Sequence, residues 1–95
     1  MSDPTLLVLS SLANGPKHGY AVMEDIERFA GVRLGPGTLY GAITRLDKQG
    51  WIKPLASDDR RIPYAITAQG RGHLAEQLEK LNAVVKTGLR RLKQA

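Results

Sequence analysis

Between Gly35-Pro36-Gly37 and Gln49-Gly50, Leu39, Ile43 and Leu46 recur at the i, i+4, i+7 spacing that stacks three apolar side chains along one side of an α-helix. Proline is tolerated near a first turn and glycine is favoured just past a last one, so this helix is short and sharply bounded. Its opposite face collects Gly37, Gly41, Thr44, Arg45 and Lys48, flanked by Thr38 and Tyr40, with no carboxylate among them. Small residues let a helix backbone approach another surface closely, and Thr, Tyr, Arg and Lys supply hydrogen bonds to phosphates and base edges. Such a face suits a major-groove helix; the alternative is the polar outer face of any solvated helix, and the neighbouring segments decide between them.

Upstream, Asp3-Pro4 reads as an N-cap followed by a first-turn proline, opening a helix through Leu6, Leu7, Val8, Leu9, Leu12 and Ala13 that Asn14-Gly15-Pro16 stops. Its apolar residues cover too much of the circumference for one-sided packing, so burial on two sides is expected. A second helix follows Lys17-His18-Gly19, with Tyr20, Met23, Ile26 and Ala30 expected inward, Glu24, Asp25, Glu27 and Arg28 toward water, and Gly31 at its end. Its acidic outer face argues against this helix lying on DNA. Downstream of Gly50 the period changes. Trp51–Leu55 and Arg60–Thr67 read as two strands around Ala56-Ser57-Asp58-Asp59, and Pro54 and Pro63, which donate no ladder bonds, predict a short edge-type hairpin. Trp51 is expected to cover the third helix as a core residue.

From Thr67-Ala68-Gln69-Gly70 a long helix is expected to run to the end of the sequence. Leu74, Leu78, Leu81, Val85, Gly88 and Leu92 step by 4, 3, 4, 3 and 4, a heptad seam whose expected partner is the same helix of a second copy. The formal charge of +5 resides here: residues 1–79 hold nine Lys/Arg against nine Asp/Glu, and Lys80, Lys86, Arg90, Arg91 and Lys93 follow with no acidic residue. Cations at a helix C-terminus also complement the macrodipole, so the argument for nucleic acid rests on placement and not on net charge. At 95 residues without cysteine, the chain reads as a single domain with no disulfide or thiolate metal site. With no membrane-length apolar segment and no secretory leader pattern, a cytoplasmic location is expected.

The order of helix, helix, helix and two-stranded ribbon is that of a winged helix-turn-helix. The expected architecture is therefore mostly α with a small β-hairpin, residues 1–67 forming the DNA-binding domain and 68–95 a dimerisation helix continuous with it. At the hairpin tip, Arg60 and Arg61 are candidates for phosphate or minor-groove contact, with Asp58 and Asp59 ordering the turn; alternatively these charges pair among themselves. An enzyme is not indicated. His18 and His73 lack partners at metal-ligand or triad spacing, Gly35-Pro36-Gly37 lacks the Gly/Lys spacing of a phosphate loop, and no cofactor or metal is expected.

Gly37-Thr38-Leu39-Tyr40, Arg45-Leu46-Asp47, Gly50-Trp51-Ile52, Arg61, Tyr64-Ala65-Ile66-Thr67 and Gly70, together with His18-Gly19-Tyr20, resemble the PadR family of bacterial transcriptional regulators. The resemblance implies a winged helix-turn-helix homodimer on double-stranded operator DNA, usually a repressor, which some members relinquish when a small phenolic or drug-like effector binds. It puts Thr38, Tyr40, Thr44, Arg45 and Lys48 on the recognition helix and Arg60 and Arg61 on the wing. Leu74, Leu78, Leu81, Val85 and Leu92 are the residues the heptad spacing assigns to the dimer interface. The C-terminus resembles the short, single-helix branch and carries no aromatic residue after Tyr64. A winged-helix module that binds another protein is the competing expectation, and it requires an exposed apolar patch on the third helix.

Overall fold

The computed structural model describes residues 3–94, so the expected chain ends at residues 1–2 and 95 lie outside the described residues. Helix α1 (Pro4–Leu12) starts where the Asp3 carboxylate accepts the Thr5 amide hydrogen at 3.0 Å, as its N-cap position requires. It is followed by strand β1 (Lys17–His18), helix α2 (Gly19–Ala30), helix α3 (Pro36–Lys48), strands β2 (Ile52–Pro54) and β3 (Pro63–Ile66), and helix α4 (Ala68–Gln94). The winged-helix order and the long C-terminal helix are both present.

Helix α1 lies at the centre, packed on α2, α3, α4 and β3, which accounts for its wide apolar surface. Val8, Leu9 and Leu12 meet Val22 and Ile26 of α2, Leu39, Ala42, Ile43 and Leu46 of α3, and Ile52 and Leu74 in one buried cluster. The spacing of Leu39, Ile43 and Leu46 thus identified the core face of α3. In α2 the inward face differs from expectation: Val22 is buried, whereas Tyr20 is 52% exposed. The two residues sit about 160° apart around a helix, so only one can face the core, and the Val22–Ile26 pair takes that side. Asp25 also departs from a purely solvated role, because its carboxylate accepts the buried Ser11 hydroxyl at 2.8 Å. Lys17 then closes the turn after α1 by donating from Nζ to the Ser11 carbonyl and the Asn14 side chain.

The ribbon has three strands and not two. Its order is β1-β3-β2, with Lys17 opposite Tyr64, His18 opposite Pro63, and Ile52, Lys53 and Pro54 opposite Ile66, Ala65 and Tyr64. Pro63 therefore opens a central strand instead of marking an edge. It is tolerated at the first strand residue, where its carbonyl accepts the Leu55 amide hydrogen at 2.8 Å and no donor is demanded of it.

Trp51 is half-buried and packs against the core cluster. Its indole stacks on His73 of α4, with ring centroids 3.7 Å apart and planes 12° from parallel. Because this pair is only partly removed from water, Trp51→Ala is expected to cost about 2–3 kcal/mol, below the range for fully buried aromatics, as read from urea unfolding.

Helix α4 is anchored at its start alone. Thr67 Oγ1 donates to the Gly50 carbonyl at 2.7 Å and accepts the Gly70 amide hydrogen at 3.0 Å, capping the helix and tying it to the end of α3. Leu74, expected at the start of the dimer seam, is buried against its own domain in the single chain. Beyond it no described residue of α4 is buried, and the helix projects along the 56 Å long axis of the molecule.

Candidate nucleic-acid interface

Helix α3 is positioned by its own start and finish. Gly35 serves as N-cap in an extended conformation with Pro36 at the first helical position, and Gly50 leaves the helix with φ +77°, a conformation that favours glycine. With Leu39, Ala42, Ile43 and Leu46 fixed in the core, Thr38, Tyr40, Thr44, Arg45 and Lys48 are all exposed on the solvent side. Asp47 is exposed too, about a quarter-turn from the centre of that face.

Thr44 Oγ1 donates to the Tyr40 carbonyl at 2.9 Å. Arg45 folds back along the helix until Nη1 stands 3.6 Å from where a Cβ of Gly41 would be; the missing side chain leaves room for the guanidinium to lie close to the backbone. Neither Arg45 nor Lys48 belongs to an ion pair among the described residues, where the pairs are Arg33 with Glu27 and Lys80 with Glu76.

At the wing tip the aspartates are not used as salt-bridge partners for the arginines. Asp59 accepts the Arg60 amide hydrogen at 2.6 Å, and its own amide donates to Ser57 Oγ at 3.1 Å, so the carboxylate builds the turn. Arg60 and Arg61 are exposed, and Arg61 Nη1 stands 3.4 Å from His18 Nε2. His18 in turn accepts the Ala21 amide hydrogen on Nδ1 at 3.3 Å and caps α2, which gives it a structural role at the junction of wing and helix.

Tyr40, Arg60 and Arg61 converge on one recess, shared with His18, Tyr20 and Tyr64, whereas Thr38, Thr44, Arg45 and Lys48 lie outside it on α3. Sequence reasoning missed Tyr20 and Tyr64 as neighbours of Tyr40. The signal for their meeting is the two-residue strand at Lys17–His18, too short to be read from periodicity.

A family model of PadR-like transcriptional regulators matches residues 8–76, which include every element from within α1 to the start of α4. The chain belongs to this family. The match begins within α1 and stops within α4. An uncharacterized 37.1 kDa protein of a transposon from Streptomyces fradiae is 42% identical over 80 residues, 84% of the chain but 23% of that relative. The chain thus spans about a quarter of the length of the curated relative it matches. A transcriptional regulator of Clostridium thermocellum superposes with a TM-score of 0.79 at 29% identity, covering 88% of this chain and 84% of that one. A PadR family transcription regulator of Clostridium difficile gives 0.84 at 22% identity, over 94% and 97% of the two chains, which speaks for the fold. No helix among the described residues is long and apolar enough to cross a membrane.

Proposed function

We propose that this PadR-like regulator binds double-stranded operator DNA as a homodimer and represses transcription in the cytoplasm, residues 1–67 contacting DNA and the helix of residues 68–95 joining two copies. The observation that carries this reading is the exposed face of α3, where Arg45 and Lys48, beside Thr44, stand without ion-pair partners among the described residues. A protein-binding module would need an apolar patch there, and the exposed residues are hydroxylic and cationic. Thr38, Tyr40, Thr44, Arg45 and Lys48 approach the major groove, and Arg60 and Arg61 contact the backbone or minor groove beside it. Thr44 offers its hydroxyl to base edges as either donor or acceptor.

The dimer is supported by Leu78, Val84, Val85, Leu89 and Leu92, which are 44–75% exposed along α4, with Leu81 between them. Five large apolar side chains on a projecting helix constitute a surface that a second copy would cover. Release by a small-molecule effector is a further part of the reading.

Base and backbone contacts separate experimentally. Arg45→Ala should cost about 1–3 kcal/mol on operator DNA and relax the preference at one position per half-site, losing specificity more than general affinity. Arg60→Ala and Arg61→Ala should weaken all sequences alike and lower the salt slope of log K by about one per contact in each subunit. Fluorescence anisotropy on operator and random duplexes across a salt series checks both. Equal losses on the two duplexes for Arg45→Ala, with unchanged salt slopes for the wing variants, would overturn these roles.

A further inference from the structure

The cap of α2 uses one ring nitrogen of His18, and the other stands beside the wing. Nδ1 accepts the Ala21 amide hydrogen at 3.3 Å, and Nε2 lies 3.4 Å from Arg61 Nη1. A neutral imidazole has one acceptor nitrogen and one N–H, and the partner of the first decides where the proton sits. Both neighbours are donors, so the ring can accept from only one of them. The Ala21 amide belongs to the first turn of α2, has no partner within the helix and is partly buried, whereas the exposed Arg61 guanidinium has water as an alternative. The lone pair therefore faces Ala21 and the proton sits on Nε2. Two donors from different elements, Nε2–H and the guanidinium, then stand side by side. The recess they line includes no Asp or Glu, and Arg61 belongs to no ion pair among the described residues. The backbone fixes both ends, since His18 pairs with Pro63, two residues beyond Arg61 on the wing.

We infer that His18 Nε2 and the Arg61 guanidinium clasp one phosphodiester of the DNA backbone, the neutral ring giving a hydrogen bond and the arginine a charge-assisted one. A nonbridging phosphate oxygen is an acceptor only, and donors spaced 3.4 Å apart both reach it, or the two oxygens of one phosphate, at about 2.8 Å. The clasp reads no base. It ties the start of α2 and the wing to the same point of the backbone, and so fixes the register in which α3 meets the groove. This role rests on the DNA reading above and adds to it a residue that lies on neither the recognition helix nor the wing.

The test begins with the tautomer, read from long-range proton–nitrogen spectra of the full chain without DNA at about pH 8.5. The proton is expected on Nε2 of His18; a proton on Nδ1 would make Nε2 the acceptor for Arg61 and overturn the clasp. His18→Asn supplies the second arm. Asn is among the best N-caps and can accept the Ala21 amide hydrogen through Oδ1, but it has no group at the place of Nε2. Its melting curve should match that of the unmodified chain, while affinity falls about tenfold on operator and random duplexes alike. The salt slope should stay unchanged, because a neutral donor displaces no counterion, in contrast to Arg61→Ala. In the third arm, single phosphates of the duplex are replaced by methylphosphonates, which removes the charge and one acceptor oxygen. At one phosphate per half-site the replacement should shrink the difference between the unmodified chain and His18→Asn to less than about twofold. Equal affinity of the two chains for unmodified DNA, or a difference that survives replacement at every phosphate, would overturn the clasp and leave the DNA reading standing. Failure of the unmodified chain to bind any duplex would overturn both.

Discussion

Gly70→Ala is expected to lower the melting temperature by more than about 10 °C, corresponding to a loss of roughly 3 kcal/mol or more. A Cβ at this position overlaps the Trp51 carbonyl oxygen and stands 2.9 Å from the Trp51 carbonyl carbon and 3.0 Å from Ile66 Cγ1. The obstruction is backbone, so it cannot be relieved by rotating a side chain. That same carbonyl accepts the Thr67 amide hydrogen at 3.0 Å, and Thr67 Oγ1 reaches the Gly50 carbonyl, so moving α4 outward breaks the contacts that seat it. Gly72→Ala is the internal control. Its Cβ meets open space two residues along the same helix, and it should stabilise the protein by about 0.5–1 kcal/mol through helix propensity. Thermal melts of the two variants check this, and similar curves for Gly70→Ala and the unmodified chain would show that the approach of α4 to Trp51 is not as close as described.

Val85→Asp should convert the proposed dimer to monomer, raising the dissociation constant by at least about 100-fold. Val85 is 54% exposed in the single chain and touches none of the buried core, so the substitution leaves the fold intact. In a parallel or antiparallel pairing of two α4 helices, each carboxylate would be removed from water against the partner's apolar surface without a counter-ion. Sedimentation velocity at micromolar concentration, with circular dichroism to verify retained helix, separates loss of association from loss of fold. A variant that still sediments as a dimer would put the contact elsewhere on the molecule.

Residues whose roles depend on near neighbours were legible from the sequence, and those set by distant contacts were not. Leu39, Ile43 and Leu46 declared the core face of α3 because helical period and flanking Gly and Pro residues agree with the tertiary packing. Asp3 and Thr67 were readable as caps for the same reason. Tyr20 was misplaced because a large aromatic at three-residue spacing from Met23 and Ile26 imitates a core face, and only the packing against α1 selects Val22 instead. The third strand escaped notice because Lys17 and His18 are a two-residue strand whose pairing with Pro63 and Tyr64 spans the whole winged domain. Trp51 and His73 carry no mark of their stacking, since the contact forms only when α4 folds back over the end of α3. Leu74 fits the heptad spacing as well as Leu78 does, but it is buried in the domain core where α4 packs on α1, a contact the repeat does not encode. For the candidate interface, the exposed residues of α3 were foreseeable from periodicity. The recess around Tyr40 was not, because it depends on the absence of a side chain at Gly19.

The most direct test of the central claim is selection of bound duplexes from a random-sequence pool by the purified chain, followed by measurement of the affinity of the enriched sequence. The expected result is an inverted repeat with half-site centres about 10–10.5 base pairs apart, bound two chains per duplex and at least about 1,000-fold more tightly than random DNA. Recovery of no common sequence, with affinity equal to that for random duplexes, would contradict the account.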